Sequence, residues 1–184
     1  VIDNNSTDQT SELSKITQDN FKYIRNETNV FHSQACNQGY ELSESDNVMF
    51  LNNDIKVKSN FTSWTQDIID NCDKVVGPTM GLLDKDFNFI KESNQQLTGN
   101  SYLSGWCIAS NKSNWEKVKN NQIWDEQFPL YFNDGDLSFR FKQLGIPLEV
   151  VNIPVVHFGK VSSKQLNIHK LYTEARKVFI KKWK

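Results

Sequence analysis

Cysteine is scarce in this chain of 184 residues: Cys36, Cys72 and Cys107 are its only three, far apart and outside any metal-ligand spacing. They read as reduced thiols of a cytoplasmic-type protein. Charge of one sign is lacking as well. With 21 Lys and Arg against 22 Asp and Glu, the net charge of -1 gives no reason to expect a nucleic-acid partner. No apolar run approaches the roughly 20 residues of a membrane span, and no signal peptide is visible. Repeats, low-complexity tracts and interdomain linkers are also missing, so one domain is expected. The chain does not begin with Met, and Val1-Ile2-Asp3 looks like the end of a strand whose start is absent. An earlier strand and helix are therefore expected to be missing. Aromatic residues, by contrast, are plentiful at 12%, which excludes a disordered chain.

Short apolar runs alternate with amphipathic stretches, the pattern of an α/β domain with a mainly parallel, mixed sheet flanked by helices. Strands are expected at Val1-Ile2, Phe21 to Arg25, Val48 to Leu51, Lys74 to Gly77, Ser104 to Ser110, Leu148 to Val151 and Pro154 to His157. Ser6-Thr7-Asp8 offers helix N-cap chemistry for a helix to about Gln18. Further helices are expected over Ser33 to Leu42, Phe61 to Asn71, Ser113 to Lys119, Gly135 to Leu144 and Lys164 to Trp183. Gly145, with Pro147 beyond it, is a helix-stop signal. Met80 to Asn100 reads as a hairpin or loop excursion.

Ligands of open α/β sheets bind beyond the carboxyl ends of the strands. Asp3, Asp54 and His157 each follow an apolar run, and Asp134 and Asp136 open a helix after Tyr131-Phe132. Several acids at one edge suggest a polar site, and a carboxylate with an imidazole could hold a divalent cation.

The segments around these residues resemble, in order along the chain, the motifs of family 2 glycosyltransferases. Asp3-Asn4-Asn5-Ser6-Thr7-Asp8 is similar to "DNGSTD", and Asn29, Phe31, Asn37 and Gly39 to the "NxGFxxxxNxG" stretch. Phe50-Leu51-Asn52-Asn53-Asp54 resembles the "LNND" form of the DXD motif. Trp124 to Phe128 and Tyr131 through Arg140 are similar to "FDExFFxYxEDxDLxxR", and Val156 to Ser162 to "VxHxGGxS". The matches span nearly the whole chain, and the rhamnosyltransferase-like members are the nearest in pattern.

The resemblance implies a GT-A fold and transfer of a sugar from a nucleotide diphosphate donor to a glycan or lipid-linked acceptor. It implies a donor half over about residues 1–78, an acceptor and catalytic half over 79–163, and a C-terminal helix over 164–183. Asp3, Asn4 and Asn53 would contact the donor nucleotide. Asp54, with His157 as a further ligand, would hold Mn²⁺ or Mg²⁺. Asp134 would be the base of an inverting reaction. Trp106 falls where the family has an acceptor-side loop, although core burial explains it equally well. Lys160 stands where glycine is common and either reaches the diphosphate or is solvated. Asp136 either lines this region or pairs with Arg140 one turn on.

Three departures from the pattern stand out: Asn52 and Asn53 leave the DXD motif one carboxylate, Asn133 replaces a Glu, and Lys160 replaces a Gly. They keep open a non-catalytic nucleotide-sugar-binding module. A sugar nucleotidyltransferase is a further alternative, but no Gly-rich basic phosphate loop is visible. The last helix carries Lys170, Arg176, Lys177, Lys181, Lys182 and Lys184 on one face, either solvated or a peripheral contact for an anionic membrane.

Overall fold

The computed structural model describes residues 1–58, 61–159 and 167–184. β1 (Ile2–Asp3) pairs in parallel with β2 (Ile24–Arg25). Between them lies a single 3-10 helix, Gln9–Lys15, started by the Asp8 side chain accepting from the Thr10 N–H. The longer helix expected there does not form: the segment buries no residue, so nothing but local capping supports it. α1 (Phe31–Glu41) follows, then β3 (Asn47–Leu51), β4 (Ile55–Val57), α2 (Phe61–Ile69) and β5 (Val75–Gly77). The segment read as a hairpin or loop is a hairpin of β6 (Met80–Leu83) and β7 (Phe89–Ser93), and β8 (Ser101–Leu103) pairs with the other side of β6. β9 (Cys107–Asn111), α3 (Lys112–Val118), α4 (Asn133–Gln143), β10 (Leu148–Val150), β11 (Val155–His157) and α5 (Ile168–Trp183) complete the described chain.

The central sheet has the order β10-β5-β9-β3. Its β10–β5 pair is parallel, but β9 runs antiparallel to both β5 and β3. The sheet is thus mixed, as expected, with more antiparallel pairing than the alternation of strands and helices suggested. The turn Ser104-Gly105-Trp106 brings the chain from β8 of the three-stranded sheet into β9, which lies between β5 and β3. Pro78, which has no N–H to give to a ladder, ends β5 and lets β6 leave for the three-stranded sheet. Gly77 is required just before it, because a Cβ there would lie 2.6 Å from the Cys107 carbonyl oxygen.

One face of the central sheet packs Phe50, Trp115, Trp124, Leu137 and Phe141 between sheet, α3 and α4. The other packs Trp64 and Ile68 of α2 against Val76, Cys107 and Ala109. α5 closes a third cluster, burying Ala175 and Phe179 against Phe87, Phe128 and Phe132. All three cysteines are free thiols.

The basic face of α5 is neither bare nor turned wholly to solvent. Lys182 pairs with Asp125 and Asp136 at 2.8 and 2.7 Å, and Lys184 with Asp86 at 2.7 Å. Arg176 donates to the Asp86 carbonyl and to Asn88 Oδ1. These cations fasten the helix to the domain. Among the described residues, no helix is long and apolar enough to cross a membrane.

Candidate active site

The turn Ser104-Gly105-Trp106 between β8 and β9 organises the edge where the sequence places its acids. The Asn52 N–H, just past β3, donates to the Trp106 carbonyl at 2.8 Å and so draws the end of β3 to this turn. Asp54 follows two residues later. Its Oδ1 lies 3.0 Å from His157 Nε2, and the ladder of β4 with β11, which pairs Ile55 with His157, holds the two together. The His157 ring stacks on Trp106 with centroids 4.9 Å apart and planes 11° apart. Trp106 is 7% exposed, and its indole N–H donates to Thr79 Oγ1. Its burial and its place beside the site are therefore not alternatives.

Asp134 reaches the same turn from the first turn of α4. Its Oδ2 accepts from the Gly105 N–H at 3.0 Å and its Oδ1 from the Gly135 N–H at 2.8 Å. Burial pushes the carboxyl up to about 6, against these N–H groups, which favour the anion; the nearby Glu92 charge adds to the rise. The residue as a whole is nevertheless partly exposed. Such a group is poised to take a proton near neutral pH.

Asp3 is 2% exposed. It accepts from the Ser6 N–H at 2.8 Å and the Tyr23 hydroxyl at 2.6 Å, and is ion-paired with Arg25. Burial opposes its ionisation, but these donors outweigh burial and hold the carboxyl well below the usual range. With these donors around it and no exposure of its side chain, the carboxylate is enclosed. Asn4 donates to the Phe31 carbonyl and accepts from Asn26, which fixes the turn against the start of α1. Asn53 is exposed and makes no hydrogen bond among the described residues.

Asp136 does not join this site. It is fully buried, accepting from Arg140 Nε and the Trp183 indole, both at 2.9 Å, and pairing with Lys182. Its expected place in the acceptor or diphosphate region is thereby corrected: every contact ties α4 to itself or to α5. Lys160 lies outside the described residues.

Two residues were missed as participants. His32, which the sequence reading left out of the site, lies with its Nδ1 3.0 Å from Asn133 Nδ2. Burial lowers its pKa, partly offset by a hydrogen bond with the Asn52 side chain. Glu92 of β7 accepts at Oε1 from Thr79 and Ser104, at 2.8 and 2.6 Å. No sequence signal marks it, since four of the five β7 residues are exposed and show no alternation.

No group of three or more His, Cys, Asp or Glu side chains converges as a metal site among the described residues. Asp54 and His157 do supply one oxygen and one nitrogen 3.0 Å apart, a donor pair that Mn²⁺ or Mg²⁺ accepts. Such ions commonly take their remaining ligands from phosphate oxygens and water, so the pair fits an ion delivered with a diphosphate.

The family model described as "Glycosyl transferase family 2" matches residues 1–133. No curated protein matches the chain. Among solved structures, the crystal structure of GalNAc-T7 with UDP, GalNAc and Mn²⁺ is similar, with a TM-score of 0.68 and 14% identity. The match covers 97% of this chain and 41% of that one, so the chain spans less than half the length of this neighbour. At such identity the likeness is one of fold.

Proposed function

The chain belongs to glycosyl transferase family 2 and has the GT-A fold, and from that premise we propose that it transfers a hexosyl or deoxyhexosyl group from a nucleotide diphosphate sugar to a hydroxyl of a glycan or lipid-linked acceptor. The observation that carries the proposal is the convergence on one turn of Asp134, through the Gly105 N–H, and of the Asp54–His157 pair, through Trp106.

In the proposed reaction the donor half is residues 1–78, with the Asp3-Asn4 turn and Asn53 against base and ribose. Asp3, held ionised by Arg25 and Tyr23, would shape this turn from within. Asp54 and His157 would hold the divalent cation, which supplies charge neutralisation at the diphosphate. Asp134 accepts the proton of the acceptor hydroxyl as that oxygen bonds to the anomeric carbon. The bond from that carbon to the diphosphate oxygen breaks on the opposite face, so the configuration inverts. A base with a carboxyl near 6 is ionised at neutral pH yet still basic enough to share the proton.

The test is thermal stability with UDP, GDP and dTDP, each with and without Mn²⁺. A ligand that binds only the folded protein raises stability by mass action, about 2.7 kcal/mol at a hundredfold excess over Kd. One nucleotide is expected to give a shift that requires Mn²⁺ and disappears in Asp54→Ala. Absence of any shift in folded protein would refute the donor site. Binding with no turnover, unchanged in Asp134→Asn, would point to a non-catalytic module, and release of pyrophosphate from the donor to a nucleotidyltransferase.

A further inference from the structure

The consecutive residues Ser104 and Gly105 each hold a carboxylate: the Ser104 hydroxyl donates to Glu92 Oε1, and the Gly105 N–H donates to Asp134 Oδ2. Adjacent Cα atoms are about 3.8 Å apart, so the two acids are held at neighbouring points of one turn, where the Glu92 charge acts on Asp134, and they border a common space. Glu92 is exposed, and its second oxygen, Oε2, takes no hydrogen bond among the described residues.

Tyr102 completes the edge of this space. β6 pairs Gly81 with Glu92 on one side and with Tyr102 on the other, so all three residues lie on one face of the three-stranded sheet. Gly81 has no side chain to stand between them. A Cβ there would lie 2.2 Å from the Tyr102 ring and 2.4 Å from its hydroxyl, so the ring lies across the glycine towards Glu92. The Tyr102 hydroxyl has no hydrogen-bond partner among the described residues. Asp134 and Glu92 both act electrostatically on this phenol, after burial, to keep it protonated and therefore a donor.

We propose that Glu92 and Tyr102 determine acceptor specificity, binding one or more hydroxyls of the acceptor sugar next to the hydroxyl held by Asp134. Glu92 Oε2 accepts from one such hydroxyl and the Tyr102 hydroxyl donates to a neighbouring oxygen. The acceptor class that fits is a sugar ring with hydroxyls on adjacent carbons; a simple alcohol or an isolated hydroxyl would leave both groups unpaired. The proposal rests on the transferase function proposed above and names the partners at its acceptor side.

The experiment measures nucleoside diphosphate release from UDP-, GDP- and dTDP-hexoses with Mn²⁺, using methyl glycosides and their monodeoxy analogues as acceptors. Glu92→Gln keeps an oxygen for Ser104 and Thr79, and Tyr102→Phe removes no hydrogen bond within the protein. Each is expected to raise the acceptor KM at least about tenfold, the loss that accompanies one hydrogen bond to a polar substrate group. The nucleotide-induced thermal shift should stay at the wild-type value. The monodeoxy acceptor lacking the contacted hydroxyl should show the same KM with wild type and variant. Wild-type turnover with unaltered acceptor KM in both variants overturns the proposal and leaves the transferase function standing. No wild-type turnover with any glycoside, in protein that binds the nucleotide, overturns both.

Discussion

Replacing Asp134 by Asn is expected to trade activity for stability, with a sign that depends on pH. Burial raises the folded-state carboxyl from 3.8 to about 6. An acid whose pKa is raised by folding binds its proton more tightly in the folded state. Its unfavourable contribution is therefore absent below pH 3.8 and grows as pH climbs through 3.8 to 6. Two units at about 1.4 kcal/mol each give roughly 3 kcal/mol; the partial exposure of the residue reduces this to about 2 kcal/mol. Asn cannot ionise, but its amide nitrogen cannot accept from both Gly105 and Gly135, which costs about 1 kcal/mol. The variant should thus be about 1 kcal/mol less stable than wild type at pH 3 and about 1 kcal/mol more stable at pH 7. Urea denaturation at half-unit pH intervals reads this directly, provided the m-values agree. A stability difference that does not change sign, or at least narrow steadily, between pH 3 and 7 would refute burial as the cause. Transfer should fall by about 10²-fold or more above pH 6, where Asp134 is ionised, and by less as pH falls below it.

In wild type, acceptor-dependent kcat/KM should rise with pH with an inflection near 6 as Asp134 ionises, which a pH–rate series checks. Asn133→Asp would place an anion 3.0 Å from His32; proton NMR titration should find the imidazole pKa raised, at a stability cost of roughly 1–3 kcal/mol. Asp136→Asn would leave Arg140 beside a buried neutral group and Lys182 with Asp125 alone; about 3 kcal/mol should be lost in urea denaturation, with nucleotide binding retained by the folded protein.

Most elements are legible because apolar alternation and cap residues are local signals. Val48 to Leu51, the Asp8 cap and the Gly145 stop need only a few neighbours to be read. The direction of β9 is not legible, since it is set by pairing with strands about 30 and 60 residues away. Asp54 and His157 could be found because each ends an apolar run, although their contact spans 103 residues. Glu92 and Tyr102 could not, because their chemistry arises from register across three strands and from the absent side chain at Gly81. The partners of the α5 cations are not legible for a related reason: Asp86, Asp125 and Asp136 come from distant segments, and helix periodicity shows a stripe of charge but not what it meets.

Two of the departures from the family pattern, Asn52 and Asn133, become one feature once His32 is included. Asn133 is 4% exposed; its Nδ2 lies within hydrogen-bond distance of His32 Nδ1 and Ser33 Oγ, while its Oδ1 accepts from the Asp134 N–H. Only an amide can donate and accept at once here. A Glu would set a carboxylate against the neutral imidazole and add a second anion beside Asp134, whose carboxyl burial already raises. His32 is in turn hydrogen-bonded to the side chain of Asn52, the other position where an acid is absent. The neutral series Asn52–His32–Asn133 therefore joins the end of β3 to the start of α4 without a buried charge. It fixes Asp134 relative to Asp54 and leaves Asp134 the one acid on that helix turn free to exchange a proton, since Asp136 is held by Arg140 and Lys182. Restoring an acid at either end alone would bury a charge that the rest of the series cannot pair.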